Sequence, residues 1–190
     1  MIEVRLAAPR RAAQLTALVL GAALLRALLL PLGDVLSTAV FAACLLGISL
    51  IQTPARLTED VLWGRGAAIL AGLAVGAVLL LPGISGSPTS RPLAAFWSWA
   101  AIAAIVATLE ETAIRAVLYR SWRDEAGPVA AIVAGAAVFA LIHLPRYGFA
   151  AMPLDLAVGF ALSGLRAVTG RVLPCAVAHT IADWGAWFWA

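Results

Sequence analysis

Two adjacent carboxylates, Glu110 and Glu111, stand inside a long apolar segment, with Arg115 four residues beyond the second. A single charged side chain at the centre of a membrane-spanning helix costs about 2.5–3.5 kcal/mol. The surrounding residues, mostly Ala with some Ile, Val and Leu, offer little to offset that, and ionisable groups in such a place are functional-site candidates by default. Adjacent residues of a helix point about 100° apart, so the two glutamates cannot share one task. Glu111 and Arg115 face each other at i,i+4 and suit an ion pair that keeps Glu111 charged and oriented. Glu110 has Ile114 at the same spacing and no helical partner. A lone carboxylate in a low-dielectric site suits a general base. The competing reading, a purely structural ion network, weighs more on Arg115 than on Glu110.

Both histidines of the chain fall in other apolar segments. Phe139 precedes His143 by four residues and Asp183 follows His179 by four, so each pair shares a helix face. A single His on an apolar face is more often a hydrogen-bonded core residue than a catalyst, and depth changes that balance. At about 1.5 Å per residue, Glu110 lies roughly 15 Å from Arg120, His179 about 12 Å from Arg171 and His143 about 22 Å from Pro128. Three helices thus bring acid–base groups to similar levels near mid-membrane. A Glu and a His can polarise a water, while a second His with a neighbour stabilises an oxyanion, which is amide hydrolysis without a Ser or Cys nucleophile. Alternatively Glu110, His143 and His179, with Asp183 as a further candidate, could hold Zn²⁺, although no HExxH is present. Proton-coupled transport is a third use for intramembrane Glu and His.

The elements that must position these groups are helices. The chain is 63% hydrophobic and 12% charged, with a mean hydropathy of +0.98, where a soluble domain is about a quarter charged. Apolar segments at roughly 12–32, 35–52, 66–84, 93–120, 128–145, 149–166 and 171–189 predict an all-α, polytopic transmembrane bundle of about seven spans. The first run is too long for a signal-peptide core and no clear cleavage site follows it. All thirteen basic residues are Arg, and nearly all fall at segment ends, which explains the basic balance without nucleic acid. With the N-terminus cytoplasmic, Arg5, Arg10, Arg11, Arg56, Arg65, Arg120, Arg123, Arg166 and Arg171 lie inside and Arg91 and Arg146 outside, as the positive-inside rule requires. Trp97, Trp99, Trp184, Trp187 and Trp189 then form an outer belt, and Trp63 and Trp122 mark the inner interface. Gly72 with Gly76, and Gly159 with Ser163, have the small-xxx-small spacing of close helix packing. Arg26 is expected to snorkel or pair with Asp34. Asp155 is placed near the outer side of the sixth segment. Cys44 and Cys175 read as small core residues.

Glu110-Glu-Thr-Ala-Ile-Arg115, Phe139-Ala-Leu-Ile-His143 and His179-Thr-Ile-Ala-Asp183 resemble, in order, the EExxxR, FxxxH and HxxxN/D motifs of the CPBP family of CAAX prenyl endopeptidases and bacteriocin-processing or immunity proteins. The glycine-rich stretch 159–170 is similar as well. The resemblance covers residues 93–190 and implies a catalytic helical core there, with 1–92 as accessory transmembrane helices. It implies an intramembrane endopeptidase in a bacterial inner membrane, acting on a leader peptide or membrane-protein segment, either metal-assisted, with Zn²⁺ as the candidate ion, or metal-free. Glu110 would be the general base, His143 would help activate water, and His179 with residue 183 would form the oxyanion site. Glu111 and Arg115 would support them. One departure is that the prenyl endopeptidases carry Asn at the last position, an N–H donor. Asp183 must instead orient His179, carry a proton, or act as a ligand. A non-enzymatic immunity or scaffold protein is the alternative the resemblance leaves open.

Overall fold

The computed structural model describes residues 11–50, 61–84, 89 and 91–189. Arg5, Arg10 and Arg56 of the orientation count, most of the Gln52–Arg65 loop and turn residues 85–88 lie outside them. Every regular element among the described residues is helical: α1 (Arg11–Leu29), α2 (Asp34–Leu50), α3 (Arg65–Leu79), the one-turn α4 (Leu81–Ile84), α5 (Leu93–Glu111), α6 (Tyr119–Tyr147), α7 (Met152–Thr169) and α8 (Leu173–Trp189). A π-helical segment, Thr112–Leu118, joins α5 to α6. The all-α expectation therefore holds, and each apolar segment of the sequence coincides with helix. Arg11–Leu32, Leu93–Tyr147 and Phe149–Thr169 are long and apolar enough to cross a membrane. The second of these bends at Gly127, whose φ of 88° lies where side chains with a Cβ are strained. The expected break at 124–128 is thus a kink at one residue, and the chain stays helical on both sides of it. The 93–120 segment is likewise not uniform, because its last turns are π.

Packing follows from where the small residues lie. A Cβ on Gly72 would stand 2.6 Å from the Pro174 carbonyl oxygen, and one on Gly76 2.9 Å from Ile181 Cβ, so α3 lies directly on the backbone of α8. A Cβ on Gly159 would stand 2.8 Å from Ala136 Cα, and one on Gly135 2.8 Å from Ser163 Oγ, which does the same for α6 and α7. Both small-xxx-small pairs serve close packing, as expected. The core they leave is filled by Leu15, Val19, Phe41, Leu45, Ile114 and Leu162, with Cys175 among them and Cys44 packed against it. Many large apolar side chains face outward, including Leu24, Leu28, Leu70, Val78 and Val129. On a helical protein of this hydropathy these are lipid-facing surfaces, and the chain is an integral membrane protein.

The two ends of the bundle differ. At one, Glu125 accepts a hydrogen bond from the Ala12 N–H at 3.0 Å, Trp122 Nε1 donates to Thr16, and Arg171 Nε donates to the Trp63 carbonyl. At the other, Asp34 pairs with Arg146, Arg91 lies over the Trp187 ring, and Thr89 donates to the Trp187 carbonyl. Of the two expectations for Arg26, snorkelling or pairing with Asp34, the second is not met, because Asp34 pairs with Arg146. Arg26 instead donates to Thr38 Oγ1 at 3.3 Å and lies over the Phe41 ring. Phe96, Trp97, Trp99, Trp184 and Trp187 gather at this second end, with Phe96 and Trp187 6.0 Å apart between ring centres.

The α3–α8 contact carries a prediction. Gly72→Ala must push α8 away, an overpacking that costs about 1–3 kcal/mol. Gly21, with nothing within 4 Å of its would-be Cβ, gains helix propensity on the same change. Thermal unfolding of the two purified variants is therefore expected to shift in opposite directions. A Gly72→Ala protein as stable as the parent would contradict the packing described.

Candidate active site

The carboxylate of Glu110 is 3% exposed and that of Glu111 is fully buried, at the C-terminal end of α5 where the helix widens into its π segment. Segments of this type are frequent at functional sites. The widened turn carries Arg115, whose Nε lies 3.2 Å from Glu111 Oε2 with both side chains wholly buried. Three further groups fix that guanidinium and its backbone. Arg115 Nη2 donates to the Gly159 carbonyl at 3.2 Å, the Phe139 ring lies 5.0 Å beneath its Cζ, and the Arg115 carbonyl accepts from Arg166 Nε at 3.0 Å. Arg166 itself is buried over the Tyr119 ring.

Glu111 uses its other oxygen on His179. Oε1 accepts from His179 Nδ1 at 3.0 Å, so that ring carries its proton on Nδ1 and turns Nε2 toward Glu110, 3.8 Å from Oε2. His143 is set the same way from the opposite side. Its Nδ1–H donates to the Phe139 carbonyl at 2.8 Å, a group that can only accept, which leaves His143 Nε2 also 3.8 Å from Glu110 Oε2. One carboxylate oxygen thus faces two imidazole nitrogens, each aimed by a bond at the far side of its ring. The two glutamates stand on opposite edges of His179.

Aromatic rings complete the setting. Phe139, His143 and Tyr147 follow at i,i+4 along α6. Ring centres are 4.4 Å apart for the first pair and 5.8 Å for the second, the latter nearly parallel at 13°. Phe139 also meets His179 edge-on at 5.2 Å. Asp183 lies 3.6 Å from His179 Nε2 and is about a third exposed. It does not reach Nδ1, so Glu111 and not Asp183 holds the far side of that ring. All six residues singled out in the sequence come together. Tyr147, Arg166 and the Asp34–Arg146 pair were missed. The i+4 spacing after His143 could have flagged Tyr147, whereas the other contacts join residues far apart in the chain.

A gap of 3.8 Å is too long for a hydrogen bond and is spanned by one intervening atom, a water or an ion. The ligand atoms of Glu110, His143 and His179 all lie within 4.8 Å of one another. Two metal–ligand bonds of about 2.0–2.2 Å at a tetrahedral angle set their donor atoms about 3.3–3.6 Å apart, so the trio needs only to draw in slightly around an ion, and both imidazoles already have the outer hydrogen bond that metal-binding histidines carry. The donor set therefore fits a divalent cation, with Asp183 outside the trio. The site forms the floor of a cavity of about 680 Å³, a size that takes a short length of peptide. Its walls come from α1, α2, α5, α6 and α8, and its rim carries Asp34, Arg91 and Arg146. Arg146 Nη2 donates to Asp34 Oδ2 at 3.2 Å, and this hydrogen bond holds the Asp34 carboxyl below its ordinary value.

A protein-family model described as type II CAAX prenyl endopeptidase Rce1-like matches residues 92–185. No curated protein and no solved structure matches.

Two predictions come from this geometry. Co²⁺ added to the purified protein is expected to bind at one equivalent, read from its visible absorption, with binding lost in His143→Ala. Glu111→Gln, which leaves the three donor side chains unchanged but loosens both the far side of His179 and the ion pair with Arg115, should weaken that affinity about 10–100-fold; an unchanged affinity would mean that Glu111 does not orient the ring. Because the folded Asp34 pKa lies below the unfolded one, the rim pair stabilises fully above the ordinary carboxylate value of 3.8 and is lost as pH falls through the lower folded value. Thermal stability should accordingly fall more steeply in the parent than in Asp34→Asn as pH is lowered from about 5 to about 3.

Proposed function

The chain belongs to the type II CAAX prenyl endopeptidase Rce1-like family, and from that premise we propose that it is an intramembrane endopeptidase that splits a peptide bond with an activated water. The observation that carries this reading is Glu110 Oε2 placed 3.8 Å from both Nε2 atoms inside a cavity. A water in that gap gives one proton to Glu110 as its oxygen attacks the carbonyl carbon, while the O–H it keeps donates a hydrogen bond to the His143 Nε2 lone pair. His179, with both nitrogens protonated, donates Nε2–H to the oxyanion. Glu111 receives the opposite N–H, and Arg115 keeps Glu111 in place. Asp183 faces the same Nε2 at 3.6 Å and supplies the counter-charge before substrate arrives. When the C–N bond breaks, Glu110 returns its proton to the leaving amine, which frees one acid and one amine. In the metal-assisted alternative both Nε2 atoms are unprotonated, and a divalent cation held by Glu110, His143 and His179 would, in place of these roles, supply Lewis acidity to the carbonyl and acidify its bound water.

We place the protein in a bacterial inner membrane, with seven spans and a cytoplasmic N-terminus. Support comes from the seven apolar helical segments and from the ends of the bundle: Arg11 and Arg171 belong to one, Arg91 and Arg146 to the other. In that orientation the cavity rim faces outward. The catalytic part is 93–190, with 1–92 accessory, and the substrate is a leader peptide or a segment of a membrane protein.

Loss of the base should cost about 10²–10⁴-fold in rate. Glu110→Gln and His143→Ala, reconstituted in lipid with a panel of fluorogenic apolar peptides, are expected to insert and unfold like the parent yet fail to cleave. Undiminished cleavage by Glu110→Gln would end the protease reading, and immunity unaffected by the same change would favour the scaffold alternative.

A further inference from the structure

The cavity has three arginines in its wall, and they differ in how their charge is answered. Arg146 is neutralised by Asp34 at the rim, and Arg91, exposed at the same end, lies over the Trp187 ring. Arg26 sits inside α1, within a stretch long and apolar enough to cross the membrane, and forms no ion pair with any described residue. Its plane is nonetheless held firmly, by Thr38 Oγ1 at 3.3 Å from Nη2 and by the Phe41 ring 4.9 Å from Cζ. Its Nε is buried with no hydrogen-bond partner. A charge in a low-dielectric setting normally finds an opposite charge, and a buried donor left unsatisfied in an ordered side chain calls for an explanation. Asp34 and Glu110 feel its charge only through space and are not in contact with it, and an arginine that is oriented, cavity-facing and without a contact ion pair is a site prepared for an anion.

Depth relates this arginine to the reacting groups. One turn of α2 separates Asp34 from Thr38, and three residues of α6 separate Arg146 from His143. Because Asp34 and Arg146 are bonded to each other, the Thr38–Arg26 contact and His143 lie at about the same depth below the rim, roughly 5 Å at 1.5 Å per residue. Both face a cavity of about 680 Å³, which an extended peptide at about 3.3 Å per residue crosses in a few residues.

We propose that Arg26 is an anchor for a carboxylate of the bound peptide, held a few residues from the bond that is cut. This rests on the protease reading for its purpose but not for its test. Arg26 lies outside the stretch 92–185 that the family model matches, so the N-terminal helices would supply substrate selection to a catalytic unit built by others. Guanidinium meets carboxylate through two parallel N–H donors.

The probe is a dinitrophenyl-tagged Ala-Leu-Val-Ala peptide in three forms, read by quenching of Trp99 and Trp187, which line the cavity. One form has a free C-terminus, one is amidated, and one is amidated with Asp in place of the last Ala. The free acid is expected to bind about tenfold more tightly than the amide, about 1.4 kcal/mol. That preference should vanish in Arg26→Gln and persist in part in Arg26→Lys. Binding of the Asp-containing amide at the level of the acid would assign the carboxylate to a side chain, and binding at the level of the plain amide to the chain end. Equal binding of all three forms by the parent, binding of none, or an acid preference that survives Arg26→Gln and disappears in Arg91→Gln, would each overturn the proposal. An acid preference without cleavage would leave the anchor standing and remove the protease reading; cleavage without the preference would do the reverse.

Discussion

The ion pair between Glu111 and Arg115 is fully buried, and taking two such groups out of water costs several kcal/mol per ion before their attraction returns any of it. A pair of that kind stands only where further partners satisfy it. Gly159 offers a carbonyl, Phe139 a ring face and His179 an N–H, and these come from α7, α6 and α8. The pair therefore holds four helical segments in one register. It also sets the chemistry, because the Glu111 oxygen that Arg115 does not face decides which nitrogen of His179 is left looking at Glu110.

Seen this way, the fourth-residue spacings of the sequence have unequal meanings. The i,i+4 relation of Glu111 to Arg115 survives the widening of the helix into a π turn, and their contact is the one the spacing implies. The relation of His179 to Asp183 brings those two within 3.6 Å, yet the partner that aims the ring comes from α5, 68 residues earlier. The relation of Phe139 to His143 is doubly used: the Phe139 carbonyl fixes the imidazole tautomer, while its ring packs under Arg115. A motif written as FxxxH thus records one side chain and hides one backbone carbonyl.

Legibility divides along the same line. Helical class, the apolar segments, the separate roles of Glu110 and Glu111, and the convergence of Glu110, His143 and His179 follow from local periodicity and from rise per residue, which a sequence states directly. The π segment does not, since Thr112–Leu118 has the composition of ordinary α-helix and nothing in its local periodicity marks the widening. The Asp34–Arg146 pair spans 112 residues, and charge spacing within one helix carries no trace of it; Arg26 is nearer in sequence but bonds to Thr38 instead. Arg166 read as one more charge at a helix end. It is instead a buried donor to the Arg115 carbonyl, a role that depends on the close approach of α7 to α6 at Gly159.

That close approach, and its counterpart of α3 on α8, explains why helices without a motif belong to the site. α8 carries His179 and Asp183, and its backbone lies against Gly72 and Gly76 with no room for a methyl group. α1 and α2 carry Arg26, Thr38 and Asp34, which form cavity wall and rim and tie to α6 three residues from His143. Removing α1–α3 would leave Glu110, His143 and His179 on their helices but would open one wall to lipid and free α8 to shift. Interactions across a gap of 3.8 Å tolerate little movement, because catalytic groups work only when held to within a fraction of an ångström. The motif-bearing half carries Glu110, His143 and His179; the packing that holds them at their spacing, and Arg26 on the cavity wall beside them, come from the half that has no motif.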